Sequence, residues 1–331
     1  VTDYSTSGRV ETWKVGLTSE LNSLIRLRAT LSRDIRAPNL EELFSKGTPI
    51  QSSAVDPRSG ESVPVFSTTT GNPDLKPEKA DNISAGIILS PASGLNFSLD
   101  YYRVKLKDAI YAVAGSVVRS RCADGEQLFC SQLDFNGPIN PRTGLPALSQ
   151  IRSLPMNLSS QEVSGLDFQA DWRTPLFAGD LSTRLVGNYT LTQSRTVFGV
   201  TYDYAGAIGP DSPVSGIPRL RGTLSTTYNQ GPASVTVQGR FIGSAKLNNE
   251  WTAKDVDDNS IPAIAYLDLR ASYHLDDNVQ LFGAVDNLLN QDPPNVASSY
   301  NQPSSYYSTP RRADIHDQLG RAYRLGFRFN F

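Results

Sequence analysis

The feature that most constrains this chain is a strict two-residue alternation, cleanest in its last eleven residues, Arg321 to Phe331. Tyr323, Leu325, Phe327, Phe329 and Phe331 fall on one face, and Arg324, Gly326, Arg328 and Asn330 on the other, because successive side chains of a strand point to opposite sides of its sheet. One face is apolar and the other wet. A soluble sandwich would cover the apolar face with a second sheet, but almost every strand here repeats the pattern with no helix or partner layer to cover it. Lipid is the simplest cover. A transmembrane barrel is built from about ten-residue segments of this kind, apolar outside and polar within.

The bulk numbers permit that reading although they look soluble. Mean hydropathy is -0.32 and 19% of residues are charged. No run approaches the roughly 18 apolar residues of a membrane-crossing helix. Alternation cancels in any averaging window, so a barrel leaves no mark there. The net charge of -2 argues against a nucleic-acid partner, which calls for a basic face. The chain starts at Val1 without a leader-like segment, so an export signal is expected upstream. Cys122 and Cys130 are the two cysteines, close together in a polar stretch. A disulfide closing a small exposed loop is expected, in an oxidising compartment, with two free thiols as the alternative.

Period-2 runs bounded by turn residues predict about eleven strands. They cover Val10 to Leu21, Leu24 to Asp34, Asn82 to Ser90, Leu95 to Ile110, Gln161 to Arg173 and Leu181 to Thr196. Pro218 to Tyr228, Ala233 to Lys246, Ala263 to Leu275, Val279 to Asn287 and the terminal run complete the set. In the fourth, the parity of apolar residues fails near Tyr101 and Tyr102. Either a β-bulge or departure of the strand from the bilayer would account for it.

The links alternate. A few residues follow each odd strand, whereas about 45, 45, 20, 15 and 30 follow the even ones, the contrast of short periplasmic turns and long extracellular loops. The expected fold is therefore an all-β, transmembrane antiparallel β-barrel. Since such barrels have an even strand number, residues 1–331 are read as the C-terminal half of a 22-stranded barrel whose earlier strands lie upstream.

Several strings, in order, resemble the C-terminal half of TonB-dependent outer-membrane receptors. LSRDIRAPNLEELF (Leu31 to Phe44) resembles that family's Arg-Ala-Pro passage, and GNPDLKPEKADNISAGI (Gly71 to Ile87) its Asn-Pro-x-Leu-x-Pro-Glu segment. LDYYRVKLKDAI, VDNLLNQDPP and LGRAYRLGFRFNF resemble its aromatic-rich strand, its Asn-Leu-Leu-Asn exit and its Gly-Arg-x-Tyr ending. The resemblance implies import of a scarce solute across a Gram-negative outer membrane. A ferric siderophore is the modal small-molecule cargo, with a carbohydrate, vitamin or peptide next. It also implies an N-terminal plug and a TonB box, absent from this chain, through which a TonB–ExbB–ExbD complex acts. The surrounding lipid and lipopolysaccharide and the barrel-assembly machinery are further implied partners, the latter reading Tyr323, Leu325, Phe327, Phe329 and Phe331. A surface adhesin barrel without transport is the rival of another class.

No catalytic constellation stands out, and neither a cofactor nor a metal is expected. His274 and His316 are far apart, and no HExxH, GxSxG or P-loop spacing occurs. Asp314, His316 and Asp317, and the acidic run Asp255, Asp257 and Asp258, read as solvated loop before they read as metal sites. The inward arginines Arg26, Arg28, Arg184, Arg221, Arg240, Arg270, Arg324 and Arg328, with Asp100, Asp167, Asp171 and Asp268, read first as lumen lining. Ligand contact is expected from aromatics of the outer loops, Tyr202, Tyr204, Trp251, Tyr300, Tyr306 and Tyr307, with Arg311 and Arg312 available to an acidic cargo.

Overall fold

The structure, a computed structural model, describes residues 1–4, 6, 8–209, 217–294 and 315–329. Eleven strands form one antiparallel meander in which each pairs with its neighbours in sequence. They are β1 (Trp13–Glu20), β2 (Ile25–Arg36), β3 (Glu78–Ala92), β4 (Leu95–Ala112), β5 (Pro155–Leu176) and β6 (Gly179–Val197). Then come β7 (Leu220–Gln230), β8 (Ala233–Ile242), β9 (Ile264–His274), β10 (Val279–Asp286) and β11 (Ala322–Phe329). The sheet is open, with β1 and β11 at its edges. A twelfth short strand, Val200–Asp203, folds back on the outer end of β6. The eighth predicted strand proves too long: β8 stops at Ile242, and Ala245–Lys246 forms its own ladder with Ser260–Ile261.

Register sorts the side chains into rows. One row carries Arg28, Gly86, Asp100, Asp167, Asn188, Arg221 and Ile242. The next, of opposite parity, carries Leu27, Ile87, Leu99, Phe168, Gly187, Gly222 and Phe241. The first faces the lumen and the second faces out. Large apolar side chains on the outer face stay exposed, among them Leu17, Leu27, Leu99, Leu224 and Leu325, so no layer among the described residues covers them. The Phe168 ring lies across Gly187, where an added Cβ would fall 2.1 Å from it, so the aromatic row packs flat. Gly94, at φ +76°, closes the turn between β3 and β4; a Cβ there would meet the Arg173 carbonyl oxygen at 2.2 Å.

No register shift occurs at Tyr101 and Tyr102. The β3–β4 ladder runs unbroken from Leu89↔Phe97 to Lys79↔Lys107. A bulge lies instead in β6, where Leu191 is the extra residue opposite Ser164 and Gly165 of β5. The outward side of β4 therefore passes from Leu99 and Tyr101 directly to Arg103, Lys105 and Lys107. Of the two explanations for the parity change, departure from the bilayer is the one the ladder supports.

At the end bearing the long connections the chain builds a cap. Strands Ile50–Val55, Ser62–Thr69, Gln150–Ser153 and Leu133–Asp134 from two separate connections join in one sheet, with Gln150 parallel to Phe66. Its core holds Val65, Val113, Val118, Phe129, Leu148 and Ile151. Short helices α1 (Leu40–Phe44), α2 (Gly115–Ala123) and α3 (Gln127–Cys130) belong to this cap. The Sγ atoms of Cys122 and Cys130, 2.12 Å apart, bond α2 to α3.

Candidate functional site

Where β6 rises past the apolar rows it continues to Val197, turns at Phe198 and Gly199, and returns as Val200–Asp203. Both turn residues have positive φ, 52° and 80°, the geometry that lets a two-residue hairpin follow the strand twist. The turn leans on the cap: the Phe198 ring meets Phe129 edge-on at 5.7 Å. Between hairpin, cap and the 243–263 connection lies a cavity of about 400 Å³.

Two guanidinium groups and a set of aromatic rings line it. Arg195 sits 4.6 Å over the Tyr111 ring at the end of β4, and Arg121, from α2, 4.3 Å over Phe198. Tyr202, directly across the hairpin from Arg195, stacks with Tyr204 at 6.4 Å and 18°. Arg121 is held by Glu126 at 2.8 Å and by the adjoining disulfide at Cys122. The Arg195 Nε is buried and has no hydrogen-bond partner among the described residues. Burial pushes the Tyr204 phenol up against the pull of Arg195, so its hydroxyl stays protonated and able to donate. Asp203 and Glu250 also line the wall. Rings that stack, guanidinium planes and phenolic donors together suit a flat, anionic ligand.

Of the aromatics singled out from the sequence, Tyr202 and Tyr204 meet in this cavity. Trp251 packs instead against a second loop cluster of Ile208, Ala245, Leu247 and Ile261, while its neighbour Glu250 reaches the cavity. Tyr300, Tyr306, Tyr307, Arg311, Arg312, Asp314 and Phe331 lie outside the described residues. Sequence reasoning missed Tyr111, Arg121 and Arg195. The available signal was the Phe-Gly pair flanked by valines, a two-residue hairpin turn that its unusual Phe disguised.

A larger cavity, about 680 Å³, lies against the lumen face. Its charges are mostly satisfied within the sheet. Arg28 grips Asp100 with two bonds of 2.6 and 2.5 Å, and Arg240 grips Asp268 with two of 2.7 and 3.0 Å. Asn188 bridges Asp167 and the Tyr102 hydroxyl at 2.8 and 3.0 Å. Arg26 pairs with Glu20, Arg184 with Asp171 at 3.7 Å, and Arg324 with Asp286 at 2.5 Å. This pairing favours the lumen-lining reading of those arginines.

The acidic loop is likewise occupied with its own turns. Asp255 accepts from the Thr252 backbone and hydroxyl at 2.7 and 2.8 Å, Asp258 from those of Ser260 at 2.8 and 2.6 Å. These bonds hold both carboxyls below their ordinary range. Asp317 is drawn towards Arg240 at 3.4 Å.

Comparison with known proteins adds the following. A family model described as TonB dependent receptor-like, beta-barrel, matches residues 1–288. Among solved structures, the siderophore receptor PirA from Acinetobacter baumannii is similar over 99% of this chain and 42% of its own, at a TM-score of 0.62 and 16% identity. The ferric enterobactin receptor PfeA from Pseudomonas aeruginosa, in a mutant form crystallised with enterobactin, is similar over 87% and 36%, at 0.56 and 18%. The copper transporter OprC is similar over 96% and 39%, at 0.55 and 18%. The chain thus spans about two fifths of each of these structures. No match is found among curated protein sequences.

Proposed function

Because the chain belongs to the TonB-dependent receptor-like β-barrel family, we propose that the intact protein is an outer-membrane transporter that captures a scarce small molecule at the cell surface and imports it with energy from the TonB–ExbB–ExbD complex. The cargo is a ferric siderophore with planar, acidic aromatic groups. One observation carries this choice: the outer cavity sets Arg121 and Arg195 among Tyr111, Tyr202 and Tyr204. Two of the similar structures are siderophore receptors, which supports the same cargo class. The energised movement belongs to a plug that the family pattern places N-terminal to these strands. The outward series Tyr323, Leu325, Phe327 and Phe329, continued to Phe331, serves the barrel-assembly machinery and not the cargo.

The test is equilibrium binding by the full-length receptor. Arg195→Gln and Tyr202→Ala should each weaken a ferric catecholate about tenfold, the scale of one lost charge-assisted or stacking contact. Unchanged affinity in both, or equal binding of a neutral hydroxylated ligand, would overturn the cargo assignment.

A further inference from the structure

The outer cavity holds charges of both signs. Its wall carries Arg121 and Arg195 and also Asp203 and Glu250, so two guanidinium groups meet two carboxylates and the lining has no net charge. A ligand that is only anionic gains little from such a wall, because the carboxylates repel what the arginines attract.

Half of these charges are already matched. Arg121 pairs with Glu126 at 2.8 Å. Asp203 pairs with Arg219 at 3.5 Å and accepts the Ala205 N–H at 3.0 Å. Arg195 and Glu250 remain without an ionic partner among the described residues, and neither pairs with the other. Both stand within electrostatic reach of one ring: burial raises the Tyr204 phenol, Arg195 draws it down, and Glu250 pushes it up.

The backbone that carries Glu250 is held on both sides. Asn259 accepts the Asn248 N–H at 3.1 Å and donates to the Asn248 and Trp251 carbonyls at 2.8 and 3.1 Å. The Asn248 side chain accepts the Glu250 N–H at 2.9 Å. Asn249 donates to the Asp203 and Ala205 carbonyls at 2.8 and 3.0 Å, which ties the same turn to the return limb of the hairpin. A turn so fixed presents an unpaired carboxylate to the cavity.

We propose that the cargo carries an ammonium group beside its acidic aromatic group, and that Glu250 receives the ammonium while Arg195 receives the acid. The inference rests on the cargo reading above. Opposite charges held apart on one aromatic wall fit a zwitterion in a single orientation. Glu250 also works against competitors, since an aromatic acid without the ammonium leaves this carboxylate unmatched beside its own negative charge. It is therefore a specificity residue for amine-bearing cargo.

The experiment is equilibrium binding by the full-length receptor, at one low ionic strength, of two ferric catecholates that differ at one nitrogen. One bears a free primary amine on its backbone, and the other has the same nitrogen acetylated. The wild type should bind the amine form about tenfold more tightly, the scale of one charge-assisted hydrogen bond. Glu250→Gln should bring this ratio to about one, and Glu250→Lys should invert it, a result that loss of folding cannot imitate. A wild-type ratio of one, a preference that survives Glu250→Gln, or an amine preference in Glu250→Lys would overturn the proposal and leave the cargo reading standing. Failure of both complexes to bind the wild type would overturn the cargo reading, and this inference with it.

Discussion

Glu78 shows at the scale of one residue how two sequence strings become one structural joint. Arg36, from the Arg-Ala-Pro element, donates its Nε to Glu78 of the Pro-Glu segment at 2.6 Å, and the buried carboxylate also accepts the Ile110 N–H at 2.7 Å. The other side of the same guanidinium reaches Glu42 at 2.9 Å, and Glu42 closes a capping box with Asn39 at the start of α1. Burial pushes the Glu42 carboxyl up, but Arg36 and the Asn39 backbone outweigh it and hold it below the ordinary glutamate range. Glu78→Ala leaves a buried N–H and a guanidinium without their acceptor, which should cost about 1–3 kcal/mol. Glu78→Gln keeps an acceptor for Ile110 and should cost less. Urea unfolding of the full-length receptor would read the difference; equal midpoints for wild type and Glu78→Ala would refute the joint. The strings were recognisable in sequence, but their meeting was not, because Arg36 and Glu78 pair across a long connection.

Elements divide into those legible in the sequence and those that were not. All eleven strands of the meander were, because a face turned to lipid stays apolar without interruption and its period of two is undiluted. Their ends were less so: β3 and β5 extend past the predicted ranges into segments where both faces meet water or cap. The cap escaped because its sheet joins pieces as distant as Phe66 and Gln150, a pairing local periodicity cannot announce. The cavity arginines escaped for a related reason, since Arg195 lies beyond the apolar rows, where alternation no longer separates inside from outside. The disulfide holds α2 beside the hairpin and so positions Arg121. Without the bond the unfolded chain gains entropy, which lowers the stability of the cap by about 2–3 kcal/mol. Cys122→Ser/Cys130→Ser should therefore weaken cargo binding severalfold while the receptor still reaches the membrane. Unaltered affinity would mean that Arg121 is positioned without the bond.

Across the whole molecule, three surfaces of different character follow from one ladder: a paired, polar lumen face, an apolar outer band, and a water-facing outer end carrying cap, cavity and cations. The half-exposed lumen pairs are each worth little, about 0–1 kcal/mol, so they specify a hydrated interior more than they stabilise it. Stability must come from the ladder and from the lipid against the outer rows. Among the described residues the sheet stays open, and β1 and β11 each present one row of unpaired backbone groups at its edges. The central claim, that alternate residues of one strand face lipid and lumen, is tested most directly by spin labels placed singly from Phe97 to Lys107 in the full-length protein in bilayers. Labels at Phe97, Leu99 and Tyr101 should collide with dissolved oxygen, and those at Ser98, Asp100 and Tyr102 with a water-soluble relaxant. From Arg103 outward the oxygen signal should vanish on both parities. A pattern without period two, or oxygen contact persisting through Lys107, would contradict the account.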